Sequence, residues 1–129
     1  MKKALIFILF MFIFTLSFAD SLQNKLTTYG IKTDAISIFK ESKLIVIYMP
    51  LGNSEYEITS RITFVLNTLS HFKEYELYSI IFKDSNFTIK FSANVLNDLR
   101  TALSVQEKYD AIQKNLVYIK STAESNDSD

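Results

Sequence analysis

DAISIFKESKLIVIYM, residues 34–49, reads as two short strands around a charged turn. Isoleucine and valine crowd both flanks, and such β-branched side chains suit a pleated surface. Glu41-Ser42 interrupts them, which predicts a hairpin, and Pro50 closes its second strand. The face this hairpin buries decides the fold. Side chains alternate along a strand, so a slip of one residue exchanges core and solvent.

A second stretch of the same character follows at 76–92, ELYSIIFKDSNFTIKFS, turning at Asp84-Ser85. The two are related in detail. IFKES (38–42) returns 43 residues later as IFKDS (81–85). Leu44, Val46 and Tyr48 then meet Phe87, Ile89 and Phe91, while Leu22, Leu26 and Tyr29 meet Val65, Leu69 and Phe72. The agreement over helix, strand and strand predicts a duplicated α-β-β unit, with a period in the range of structural repeats. The rival reading is that any two amphipathic hairpins look alike.

The intervening segments read as helices. SLQNKLTTY (21–29) sets Leu22, Leu26 and Tyr29 on one stripe, with Gly30 as its C-terminal stop. SEYE (54–57) is a capping box. The helix it opens, expected to run to about His71, aligns Ile58, Ile62, Val65, Leu69 and Phe72. Beyond the second hairpin, 93–103 places Val95, Leu96, Leu99 and Leu103 at helical spacing. SVQE (104–107) is a further capping box, followed by Tyr109, Ile112, Leu116 and Ile119 as a stripe. Either Ser104 starts a second helix or one bent helix runs through. The expected fold is α+β: a duplicated α-β-β unit forming a four-stranded sheet packed by helices, plus a C-terminal helix or helix pair. The order αββαββ resembles that of BON-type envelope modules, although their turn glycines are missing, Gly30 and Gly52 being the only glycines.

Two-residue turns would sort each hairpin into two sides. In the second, Tyr78, Ile80, Phe82, Phe87, Ile89 and Phe91 form an apolar side against Ser79, Thr88 and Lys90. The repeat then assigns Phe39, Leu44, Val46 and Tyr48 of the first hairpin to the core. That leaves Ile36, Ile38, Ile45 and Ile47 on its other side as a possible interaction face, covered either by a C-terminal lid or by a partner.

The chain opens MKKALIFILFMFIFTLSFAD. Lys2 and Lys3 precede an apolar run, and Ser17 and Ala19 stand where a signal peptidase reads small residues. Residues 1–19 are therefore expected to be a signal peptide, 20–120 a single α+β domain, and 121–129 a disordered acidic tail. The apolar run spans about 22 Å as a helix, short of the ~30 Å hydrocarbon core, which disfavours an uncleaved anchor. The protein is expected to be exported, periplasmic or extracellular. Loss of Lys2 and Lys3 leaves 12 basic against 14 acidic residues. With no basic run, nucleic acid is not expected as a partner, nor a membrane except through an uncleaved signal peptide.

Short motifs for common cofactors are absent. There is no glycine-rich phosphate loop, and one histidine with no cysteine leaves no ordinary zinc or iron–sulfur site. No catalytic, cofactor-binding or metal-binding residue is assigned. His71 is the only imidazole and is expected to face water. Glu74 and Glu76 are the one carboxylate pair worth weighing. The expected function is a small exported, non-catalytic binding or interaction module of the cell envelope, meeting an envelope protein or itself through an apolar sheet face. Alternatives are a carrier of a small apolar molecule or lipid and, last, an enzyme using His71 or the carboxylate pair.

Overall fold

The computed structural model describes residues 21–121. The expected signal peptide, and the tail beyond Ser121, lie outside those residues. Helix α1 covers residues 21–28 and ends at Gly30, whose φ of +82° admits the left-handed turn. The amide of Ile31 returns to the Leu26 carbonyl and that of Gly30 to Thr27, so the last turn is satisfied. Strands β1 (Ala35–Phe39) and β2 (Leu44–Tyr48) form the first hairpin. Helix α2 (Glu55–Leu69) starts at Ser54, whose side chain accepts from the Glu57 amide. A 3-10 turn at Lys73–Tyr75 leads to β3 (Ser79–Lys83) and β4 (Phe87–Phe91). Helices α3 (Val95–Thr101) and α4 (Val105–Lys114) follow, and Ser104 caps α4 by accepting from Glu107.

The C-terminal stripe corrects the expectation. Leu116 and Ile119 are not helical; Leu116–Ser121 is a fifth strand, β5, antiparallel to β4. The sheet has five strands in the order β1-β2-β3-β4-β5, not four. Asn115 makes the break. Its buried amide donates to the Ala111 carbonyl and to Asp98, and its side-chain oxygen accepts from the Ser92 hydroxyl. Its own carbonyl accepts from the Ser92 amide. The chain is thereby turned out of α4 and onto the edge of β4.

Every pairing is antiparallel except β2 with β3, which run parallel because α2 carries the chain back across the sheet. The described helices cover one face only. Leu22 and Leu26 of α1, Val65, Leu66 and Leu69 of α2, Leu96 and Leu99 of α3 and Ala111 of α4 share one core with the sheet. Each large side chain fully buried there contributes about 1.5–3 kcal/mol.

The sheet's share of that core corrects the face assignment. The second hairpin buries Ile80, Phe82, Ile89 and Phe91, as expected. The first buries Ile36, Ile38, Ile45 and Ile47 and turns Phe39 and Tyr48 outward. Direction and order together explain the inversion. β1 precedes β2 as β3 precedes β4, yet the parallel β2–β3 pairing makes β1 and β3 antiparallel. A hairpin repeated under those conditions must be turned over about an axis lying across the strands. Positions 43 residues apart therefore point to opposite faces. Ile45 and Ile47 sit beside Ile80 and Phe82, neighbours in the same core layer.

The turns also differ. The first hairpin pairs Phe39 with Leu44 around Glu41-Ser42, as expected, and Lys43 takes a positive φ of 52°. The second pairs Phe82 with Ile89, two residues from the alignment, and turns at Ser85-Asn86. Asp84 sets that turn: its carboxylate accepts from the amides of Asn86, Phe87 and, across the molecule, Leu51. Glu41, at the matching position with a longer side chain, has no such bond. A two-residue shift leaves every side chain on its face.

Candidate functional site

The four isoleucines proposed from sequence as an interaction face are buried beneath the helix layer. In the folded chain they offer a partner nothing to touch. The surface that remains is the opposite side of the sheet, which no described element covers. The strand register places Phe39, Leu44, Val46 and Tyr48 on it from the first hairpin. From β3 to β5 it carries Ile81, Lys83, Thr88, Lys90, Tyr118 and Lys120.

This outer face has two halves. Over β1–β3 it is apolar: Val46 lies between Ser37 and Ile81, and Phe39 opposes Leu44. Phe39 is 50% exposed and Tyr48 39%. Over β3–β5 it is cationic. Lys83 pairs with Thr88 and Thr88 with Lys120, while Lys90 opposes Tyr118. Strands lie about 4.8 Å apart, so the three lysine positions span about 10 Å across β3–β5. Lys120 Nζ stands 4.9 Å from the centre of the Tyr118 ring.

Among the described residues no aspartate or glutamate shares this face. The ion pairs among the described residues lie elsewhere: Lys25–Glu74, Arg61–Glu57, Arg100–Glu76 and Lys114–Asp98. The helix layer thus carries paired charges and the sheet carries three lysines outside any ion pair.

A second candidate is a groove of about 570 Å³ lined by Tyr56, Phe64, Leu99, Val105 and Tyr109, between α2 and the α3–α4 pair. Past Tyr109 it adjoins a hollow of about 220 Å³ bounded by Ile58, Ile112, Leu116 and Ile119.

The residues weighed for catalysis are not brought together. His71 is exposed just past α2. Glu74 lies 3.0 Å from Lys25 and Glu76 2.9 Å from Arg100, so each carboxylate faces its own cation. Tyr75 between them is buried and edge-on to Tyr78 at 5.6 Å. Burial, with Glu74 and Tyr78 adding to it, pushes its hydroxyl up to about 12. Among the described residues no group of three or more His, Asp or Glu could hold a metal ion. None of the described helices is long and apolar enough to cross a membrane.

Scans against protein-family models, curated proteins and solved structures return no match. Sequence reasoning missed the outer face because it carried the repeat's equivalence through to side-chain direction. The signal was present: Ser79, Thr88 and Lys90 occupy the positions of Ile36, Ile45 and Ile47.

Proposed function

We propose that the protein is an exported, non-catalytic interaction module that docks a protein of the cell envelope on the outer face of its sheet. The observation that carries this reading is the uncovered apolar half of that face, centred on Phe39, Leu44, Tyr48 and Ile81. Contiguous apolar surface of this kind marks interaction sites on soluble domains. Export rests on the N-terminal pattern of Lys2, Lys3, the apolar run and Ala19. The same reading takes the αββαββ portion as a duplicated unit whose second hairpin is turned over, supported by β2 and β4 matching end to end at the 43-residue offset.

A photo-crosslinking residue at Phe39 tests it in cells. One identified envelope protein, captured from position 39 and lost when Leu44 and Tyr48 become serine, is the expected result. Capture from Tyr56 instead points to the helix layer and sinks the docking reading. The groove favours a second reading, a carrier of a small apolar molecule, since Tyr56, Phe64 and Val105 expose apolar surface around it. Copurified lipid, seen by mass spectrometry and lost in Phe64→Asn, supports that reading.

A further inference from the structure

We infer that the segment docked on the outer face is acidic: a protein segment that lays apolar side chains on β2–β3 and carboxylates on Lys83, Lys90 and Lys120. The inference rests on the docking reading above and specifies its partner. The two halves of the face divide the work. Apolar contact over Phe39, Tyr48 and the half-buried Ile81 gives affinity without direction, because hydrophobic burial is not directional. The lysines give direction. Counted from Ile81 on β3, Lys83 lies on the same strand, Lys90 one strand spacing away and Lys120 two, about 10 Å, and no acid among the described residues of their own face neutralises them. The nearest carboxylate along the chain, Asp84, is already held by three backbone amides. Charge complementarity then selects against neutral and basic segments, each lysine left facing a like charge being unfavourable.

Nucleic acid fits the same lysines less well. Tyr118, the aromatic ring nearest the centre of the cationic half, has its own Lys120 over it. With a net charge of zero or slightly below, the whole chain supplies no long-range attraction for a polyanion.

A helix laid across the strands covers both halves in about three and a half turns, since four strand spacings make about 19 Å, or roughly thirteen residues. The probe is therefore a synthetic helical peptide with leucines in its first half and glutamates in its second, along one face. A control peptide replaces the glutamates by glutamine. Amide-proton NMR titration of the isotope-labelled protein is the readout. The glutamate peptide is expected to shift resonances of β2–β5 on the outer face and to weaken with added salt. The triple variant K83Q/K90Q/K120Q, on the surface and well dispersed in its spectrum, should bind about ten-fold more weakly, as three exposed ion pairs allow. Equal binding of the glutamine peptide at Leu44 and Ile81 overturns the acidic assignment and leaves docking intact. No shift on the outer face with either peptide overturns both. Tighter binding of a twelve-nucleotide oligodeoxythymidylate overturns it in favour of nucleic acid.

Discussion

The two hairpins share a sequence pattern and bury opposite sides of it. In the second, Phe82 is wholly enclosed; in the first, Phe39 at the matching position is half exposed. Ile45 is wholly enclosed, and its counterpart Thr88 lies on the outer face between Lys83 and Lys120. Sequence similarity fixes local conformation, both segments being strand-turn-strand. It does not fix which side faces the core. That is decided by how the hairpins are joined, and here α2 leads to a parallel junction that turns one hairpin over relative to the other. The difference shows in composition: where three of the first hairpin's core positions hold isoleucine, the matching positions of the second hold Ser79, Thr88 and Lys90.

The most severe way to break this comparison is a charge at matched sites. Ile45→Lys should leave the chain unfolded, because an unpaired ammonium in the core exceeds the margin of a small domain, at about 4 kcal/mol or more. Thr88→Lys should cost less than about 1 kcal/mol as a surface change. Circular dichroism and denaturant melts of both variants check it. Truncation comes next: Phe82→Ala should cost about 3–5 kcal/mol, the usual range for a buried phenylalanine. Phe39→Ala, half exposed, should cost clearly less in the same urea titration. Equal losses at 39 and 82 would mean that both hairpins bury the same side.

Much of this fold was legible in the sequence. The capping boxes at Ser54 and Ser104 start helices where they should, Gly30 stops α1, and both hairpins fall in place. Such signals are local, one or two turns of chain. What escaped was nonlocal. Leu116 and Ile119 continue the spacing of Tyr109 and Ile112, and only the Asn115 bonds to Ala111, Asp98 and Ser92 divert them into β5. The outer face escaped for the same reason, since parallel pairing of β2 with β3 cannot be read within either hairpin.

Asn115 sharpens the comparison from the C-terminal side. β5 attaches to the second hairpin only, and among the described residues no further strand pairs with β1. Asn115→Ala strands the Ser92 hydroxyl and leaves the Asp98 carboxylate with Lys114 in place of two donors, and should cost about 1–3 kcal/mol. Faster amide exchange in β5 than in β1–β3 should accompany the loss.

The smallest effect expected is at Tyr75, ahead of β3. Its pKa is raised from 10.0 to about 12 in the fold. Between those values the unfolded chain releases the proton and the folded chain keeps it. The contribution is therefore complete below pH 10 and is lost as pH rises toward 12. Tyr75→Phe should flatten the fall in stability between wild-type melts at pH 9 and pH 11.

The inversion itself can be read without unfolding anything. The chain has no cysteine, so single cysteines report one site at a time. Placed at 39, 45, 82 and 88, they should react with a thiol reagent in crossed order. Sites 39 and 88 should label at once. Sites 45 and 82 should label on the order of 10² times more slowly or worse, because each must wait for an opening that costs a few kcal/mol. Fast labelling at 45 and 88 together, with 39 and 82 both protected, would mean that the two hairpins bury the same side, and the account would be wrong.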